Sequence, residues 1–292
     1  KSFLSRMLNQ RAFYPIMALI LILVLNRIIS PDFFTIRAIE TRYIGSLIDI
    51  LNRASPVILL SIGMTLVIAT EGIDLSVGAV IAICGAVAAV LISTTEIPAF
   101  GVILISIFVG ILCGLWNGVL VAYFKIQPIV ATLILMISGR GIAQLITNGQ
   151  IAIFNNDNLQ YVGTGVLFGF PVPIYISILV FIIVYLFIRR TAIGVLIESV
   201  GANDKASFYA GVNATHVKLL AYVISGICAA IAGLIITADI RGADANNAGL
   251  WLELDAILAV VIGGTALSGG RFYLGLSAIG ALIIQSVETG IL

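Results

Sequence analysis

The chain has 292 residues, 61% of them hydrophobic and 10% charged, with a formal net charge of +1. A water-soluble domain carries charge on about a quarter of its residues, so this composition, with its mean hydropathy of +1.18, excludes an ordinary soluble fold and reads as a chain made for lipid. Phosphate neutralisation needs a clustered basic surface, and the 15 Lys and Arg are scattered, so nucleic acid is excluded as a partner.

Cys84, Cys113 and Cys228 lie in apolar stretches with no paired spacing and no histidine nearby. They read as small buried hydrophobes and give neither a disulfide framework nor a metal site. The chain opens on Lys1-Ser2-Phe3 and stops at Leu292 within an apolar run, so it is expected to be a piece of a longer protein with at least one further segment. Basic residues precede the first apolar run without a small-residue cleavage site, which predicts a retained first span and not a removed signal peptide.

Crossing a bilayer takes about 20 apolar residues in a helix, because each residue advances about 1.5 Å and every backbone polar group must be satisfied within the segment. Nine segments fit, near residues 13–29, 52–70, 74–93, 100–123, 127–147, 172–188, 217–238, 251–268 and 272–291. The expected fold is all-α: one polytopic transmembrane domain over residues 1–292 with discontinuous helices. With the N-terminus in the cytoplasm, nine basic residues fall inside (Lys1, Arg6, Arg11, Lys125, Arg189, Arg190, Lys205, Lys218, Arg271) and five outside (Arg27, Arg37, Arg42, Arg53, Arg241). The positive-inside rule therefore favours that orientation. The segment between the first two spans, with Asp32, Glu40 and Asp49 interleaved, is expected to lie along the outer surface.

Two connections are long. The outer one, 148–169, is rich in Asn and Gly and has no basic residue, whereas the inner one, 189–216, carries much of the inside charge. Within the inner connection, residues Gly201 to Gly211 read as a short helix. Asn203 suits its N-cap, Asp204 the positive helix start, and Gly211 the left-handed position after its end. Ala206 and Ala210 are four apart on one face where another protein can approach closely, with Phe208 and Tyr209 as anchors; an ordinary surface helix between spans fits the spacing as well.

Polar residues inside spans are costly and face a cavity or a partner. Arg140, Gln144 and Asn148 recur one turn apart, and Asn117 beside Trp116 offers an amide and an aromatic ring, the two groups by which a sugar is held. For each alone, interhelical hydrogen bonding is the better explanation. Asp74 reads as the N-cap of the third span with Gly72 ending the second, and Glu253 and Asp255 mark a comparable break before the eighth; broken helices of this kind expose their ends to a central cavity in transporters. Gly110, Gly114 and Gly118, and likewise Ser225, Ala229 and Gly233, are stripes for close helix packing. Asp239, Arg241, Asp244, Asn246 and Asn247 form a polar outer loop, either a docking surface or a hydrated connection.

The inner connection, with Thr191-Ala192-Ile193-Gly194 and Glu198 before Gly201, resembles the coupling-helix region of permease subunits of bacterial sugar importers powered by ATP-binding cassettes. Gly72-Ile73-Asp74-Leu75-Ser76-Val77-Gly78, Leu258 to Gly264 and Gly269-Gly270-Arg271 agree with the same family, and Ala238 to Gly249 looks most like its galactofuranose branch. The family usually has a second glycine where this chain has Glu71. The resemblance covers nearly the whole chain and implies about ten spans, a pair of permease subunits, cytoplasmic ATPases coupled through 189–216, and a periplasmic sugar-binding protein. It also implies no cofactor on this chain. No G-x-x-x-x-G-K-[ST] occurs, so ATP is expected to be hydrolysed by a separate subunit. The rival reading is an ion-coupled secondary transporter, which depends on membrane-embedded carboxylates; only Glu288 is plainly internal to a predicted span. His216 has no partner at catalytic spacing, so no enzyme is read here. A passive channel leaves the structured inner loop without a purpose.

Overall fold

The computed structural model describes residues 12–39 and 42–291; the inside residues Lys1, Arg6 and Arg11 of the orientation argument lie outside them. The helices that carry the bundle are α1 (Phe13–Ile29), α2 (Ser46–Ala69), α3 (Val77–Thr94), α4 (Ala99–Ala122) and α5 (Pro128–Ile146). They continue with a short α6 (Asp157–Thr164), α7 (Val172–Arg190), α8 (Ile193–Ala202), α9 (Asp204–Tyr209), α10 (Ala214–Asp239), α11 (Leu252–Ile262) and α12 (Leu274–Ile291). Among the described residues, α2, α3, α4, α5, α7 and α10 are long and apolar enough to cross a membrane, and α1 and α12 are shorter apolar helices. The protein is a polytopic helical membrane protein.

The eighth predicted span is the one that departs most from expectation. Its helix covers only Leu252–Ile262, about 16 Å, too short to cross alone. Gly263 caps it and Gly264 takes a φ of +82°, a left-handed conformation that closes a helix. The chain then runs without helix to α12. The inner connection also differs: Gly201 belongs to α8, not to the following helix, and Asn203 both ends α8 and caps α9 by accepting from the Ala206 N–H at 2.9 Å. The outer connection is ordered around α6, whose first turn Asn156 caps through the Leu159 N–H.

Why these helices meet as they do follows from their small residues. α10 is the central helix, and each of its faces presents one. A Cβ on Gly110 of α4 would lie 2.5 Å from the Gly226 carbonyl and 2.6 Å from Ala230 Cβ, and a Cβ on Gly63 of α2 would lie 2.7 Å from Ser225 Cα. Gly233 sits against the Ile81 backbone of α3. Without a hydrophobic force between helices in lipid, such backbone contact is what dispersion and close packing need. Elsewhere Asn26 of α1 donates to the Ser286 carbonyl of α12 at 2.7 Å from a buried position.

Three two-stranded ribbons join the connections at the end of the bundle opposite α8 and α9. They are β1–β2 (Arg37–Ile39 with Arg42–Ile44), β3–β6 (Ala152–Ile153 with Gly242–Ala243) and β4–β5 (Val166–Leu167 with Phe170–Pro171). The β4–β5 turn places Phe168 and Gly169 at φ of +48° and +86°, the two left-handed residues that match strand twist in a tight hairpin. Gly226→Val drives a branched side chain into the Gly110 backbone and is expected to abolish recovery of monodisperse protein in detergent, read by size-exclusion chromatography. Gly141→Val is the control: a Cβ there meets nothing within 4 Å, and recovery is expected to match the parent.

Candidate functional site at two helix breaks

The first break runs from Thr70 to Ser76. The end of α2 is closed by the Glu71 N–H to the Ile68 carbonyl and the Gly72 N–H to the Val67 carbonyl, both 3.0 Å. Glu71 itself takes a φ of +62°, the conformation in which a glycine costs least, so the glycine usual in the resembling family suits the backbone of this turn. Asp74 follows, 2% exposed. Its Oδ1 accepts from the Ser76 hydroxyl at 2.6 Å, the Ser76 N–H at 3.1 Å and Asn117 Nδ2 at 3.4 Å, and its Oδ2 accepts from the Ser225 hydroxyl at 2.9 Å. Asn117 also donates to Ser76 Oγ at 2.7 Å. A carboxylate away from water needs this many donors to persist, and they come from α4, α10 and the start of α3. Ser225 lies near the middle of the 26-residue α10, so the network sits at mid-length of the central helix.

That geometry revises the expected pathway residues. Asp74 and Asn117 form a buried hydrogen-bonded network, and α3 begins at Val77 after Ser76, not at Asp74. Trp116 is 54% exposed on the other side of α4; neighbours on a helix point about 100° apart, so Trp116 and Asn117 do not share a face.

The second break runs from Ile240 to Trp251, with Arg241, Gly249 and Trp251 at positive φ. Its inner turn is an Asx arrangement: Asp244 Oδ1 accepts from the Asn246 and Asn247 N–H groups at 2.9 and 3.3 Å, and Oδ2 accepts from Asn247 Nδ2 at 2.7 Å. The Asn247 side-chain bond, first among several, holds the Asp244 carboxyl below its ordinary value. Arg140 donates from Nη1 to the Ala248 carbonyl at 2.6 Å and the Ala245 carbonyl at 3.3 Å, and Gln144 Nε2 donates to Asn246 Oδ1 at 2.6 Å. The polar stripe of α5 and the polar outer loop, separate features in the sequence, are therefore one assembly. Asn148 does not join it; it sits exposed beyond the end of α5 at a φ of +53°. Asp239 is exposed within electrostatic reach of Arg53 and Arg42. Arg241 reaches the Gln160 amide oxygen, 2.7 Å from Nη2 and 3.0 Å from Nε, in the amide orientation that satisfies both groups.

The two breaks touch. A Cβ on Gly78, in the first turn of α3, would lie 2.5 Å from both the Gly249 carbonyl and Glu253 Oε2. Glu253 is 3% exposed and its Oε2 has no hydrogen-bond partner among the described residues. Asp255 is half-buried, within electrostatic reach of Glu253 and Glu288. The N-termini of α3 and of the short α11 thus converge beside the Glu253 carboxylate, a place where helix ends favour negative charge.

At the other end, Ala206, Phe208, Tyr209, Ala210 and Gly211 of the α9 region are exposed, Phe208 by 71% and Tyr209 by 87%. Gly211 takes a φ of +85°. Asp204 pairs with Lys218 at 2.7 Å and so ties α9 to the first turns of α10. Glu198 is half-buried on α8, and Gly201 is packed so closely that a Cβ would strike the Ala69 carbonyl. Beside α9 a cleft of about 1220 Å³ opens between the first break, the α4–α5 turn and the start of α10. None of the expected pathway residues lines it, whereas Phe208, Tyr209 and Gly211 of the expected coupling helix do. Sequence reasoning missed Ser76, Ser225 and Tyr222; a tyrosine and a serine one helical turn apart within a predicted span were the available signal, since each needs a polar partner there.

No cluster of three His, Cys, Asp or Glu able to hold a metal occurs among the described residues, and the three cysteines are free. Asp74→Asn replaces one acceptor oxygen by an amide donor that faces donors and is expected to cost about 2 kcal/mol or more, against about 1 kcal/mol for Ser225→Ala, which removes a single hydrogen bond. Unfolding in detergent measures both, and equal midpoints for Asp74→Asn and parent would contradict the network.

The family model described as "Branched-chain amino acid transport system / permease component" matches residues 46–292. Among curated proteins, the chain is 59% identical over 278 residues to the galactofuranose transporter permease YtfT of Escherichia coli (strain K12), covering 95% of this chain and 81% of that one. It is 39% identical to the fructose import permease FruF of Bifidobacterium longum (strain NCC 2705), covering 100% and 83%. Identity to the ribose import permease RbsC of Haemophilus influenzae is also 39%, covering 95% and 83%. No solved structure matches the chain. Helices long enough to cross a membrane, helix breaks at 70–76 and 240–251 that touch within the bundle and a match over nearly the whole length agree: the chain belongs to this family of multi-pass transport-system permeases, whose members are non-catalytic membrane components.

Proposed function

We propose that the chain is the permease subunit of an ATP-driven sugar importer in a bacterial inner membrane and carries galactofuranose or a related monosaccharide. The observation that carries this reading is the 59% identity to a galactofuranose permease over 95% of the chain. Fructose and ribose permeases, more distant, keep the reading within sugars.

In this reading the N-terminus is cytoplasmic and the chain forms half of the translocation pathway, a second permease subunit forming the other half. The 189–216 connection is the coupling element: a cytoplasmic ATP-binding-cassette ATPase docks on Glu198, Asn203, Ala206, Phe208, Tyr209, Ala210 and the Gly211 turn, and its closure moves α9. Two features support this: a capped helix with two large aromatics facing solvent, and an ion pair that transmits its displacement to α10. A sugar-binding protein docks at the opposite end on Asp239, Arg241, Asp244, Asn246 and Asn247. Arg140, Gln144, Glu253 and Asp255, with the exposed ring of Trp116, face the route of the sugar, while Asp74 and Asn117 hold its walls. ATP is hydrolysed by the ATPase, and the permease binds no cofactor.

The test is uptake into proteoliposomes holding the whole importer with its ATPase and binding protein. Changing Ala206 and Ala210 both to Arg places two cations on the docking face and is expected to lower ATP-driven galactofuranose uptake about tenfold or more, the loss typical when an interface anchor is disrupted. Membrane insertion is expected to be unchanged because both side chains point to solvent. Undiminished uptake would remove α9 from coupling. Uptake indifferent to ATP but driven by a proton or sodium gradient would replace the reading with a secondary transporter.

A further inference from the structure

The turn that opens α11 ends on a residue its backbone does not suit. Trp251 caps α11 at a φ of +69°, a left-handed conformation that glycine enters freely and that is an outlier for a bulky side chain. Two residues earlier the same turn requires the same φ of +69° and meets it with Gly249. Glycine at 251 would serve the backbone equally, so what the position retains at the expense of strain is the indole ring. Strain of this kind persists where a side chain has to be aimed, and it gathers at ligand-holding sites.

The ring is free to meet an occupant. Trp251 is 64% exposed, and among the described residues its indole has no stacking, cation or hydrogen-bond partner. Its backbone is held on both sides. The Trp251 carbonyl accepts from the Leu254 and Asp255 N–H groups at 3.0 and 3.3 Å, and Arg140 grips the Ala248 carbonyl, three residues before it, at 2.6 Å. Gln144 and Asn246 of the same assembly are exposed amides that spend one side-chain bond on each other, so each keeps capacity for hydroxyls. The apolar face of a sugar ring stacks on a flat aromatic while its hydroxyls bond to amides at the edge. Beyond Trp251 the same side of α11 carries exposed Leu254, Leu258 and Val261, and an indole heading an apolar stripe also suits the membrane–water boundary. That role gains nothing from a left-handed backbone, since any rotamer reaching the headgroups serves it.

We propose that Trp251 is the stacking platform for the sugar at the outer mouth, presented by the left-handed backbone at the start of α11. This rests on the sugar-importer reading above and adds to it a residue that sets specificity for a ring with an apolar face.

Variants of the complete importer in proteoliposomes, with ATPase and binding protein, test this. Trp251→Gly relaxes the backbone and removes the ring. The unfolding midpoint of the purified permease is expected to hold or rise, while ATP-driven galactofuranose uptake falls about fivefold, the worth of one stacked ring. Trp251→Phe keeps a flat face and is expected to stay within about twofold of the parent; Trp251→Leu, apolar but not flat, is expected to fall as far as Trp251→Gly, with the affinity of the binding protein for the importer unchanged. Trp251→Cys reports where the side chain lies: a membrane-impermeant methanethiosulfonate applied from the binding-protein side is expected to modify it, and excess galactofuranose added without binding protein is expected to slow the reaction. The parent, whose cysteines are buried or half-buried, is the control for reaction elsewhere. Modification by a membrane-permeant reagent alone would make Trp251 a lipid anchor, and weakened docking of the binding protein would make it part of that interface; either overturns the platform. So do equal uptake by the Phe and Leu variants and a lowered midpoint for Trp251→Gly, all of which leave the importer reading standing. No ATP-driven sugar uptake by the parent overturns both.

Discussion

A carboxylate buried at the middle of a helical membrane bundle persists only if its oxygens are supplied with donors, and in this protein those donors come from three different parts of the chain. Ser76 at the start of α3, Asn117 on α4 and Ser225 on α10 all reach Asp74. The requirement bears on where α3 starts, because Ser76, the residue before it, is committed to bonding Asp74, while the Glu71 and Gly72 N–H groups turn back to close α2. It also fixes how α4 and α10 sit on that break. The glycine contacts of α10 with α2 and α4 supply the closeness that hydrogen bonds of this length demand.

From that network the two ends of the molecule become one mechanical system. Towards one end, α3 presents Gly78 to Gly249 and Glu253, so the second break is seated on the first turn that Ser76 begins. Arg140 then anchors the re-entering turn through two carbonyls. Towards the other end, Tyr222 lies one turn from Ser225 and forms the floor of the cleft that α9 borders. A displacement of α9 acts on α10 through the Lys218–Asp204 pair, and α10 carries Ser225. The element between the two ends is a packed helix with small residues on each of its faces, which transmits a shift as a rigid body more readily than it deforms.

The sequence made the spans legible wherever apolar runs were long, and the helices at α1 to α5, α7, α10 and α12 follow them. It did not make legible the length of α11. Residues 251–268 are apolar enough to span, but Gly263 and Gly264 end the helix, and two glycines in an apolar run are equally compatible with packing against a neighbour. The start of the inner helix is hidden for a similar reason: Gly201 looks like a boundary and is instead an interior residue of α8, with the Ala69 carbonyl of α2 packed against it. Caps were legible, as Asn203 shows, since their partner is three residues away. Partners more than a hundred residues apart were not: nothing in the spacing joins Asp74 to Ser225, or Arg140 to Ala248. The sequence therefore offered Asp74, Asn117 and Arg140 as polar residues in search of a role and left their partners unnamed.

The direct test of the central claim is a double-mutant cycle between Asp74→Asn and Ser225→Ala, read as unfolding free energy of the purified protein in detergent. Direct contact within a buried network predicts a coupling energy of about 1 kcal/mol or more, the Ser225 change costing little once Asp74 is Asn. Additive effects, with coupling below about 0.5 kcal/mol, would show that the two residues act independently and would contradict an architecture held by the Asp74 carboxylate.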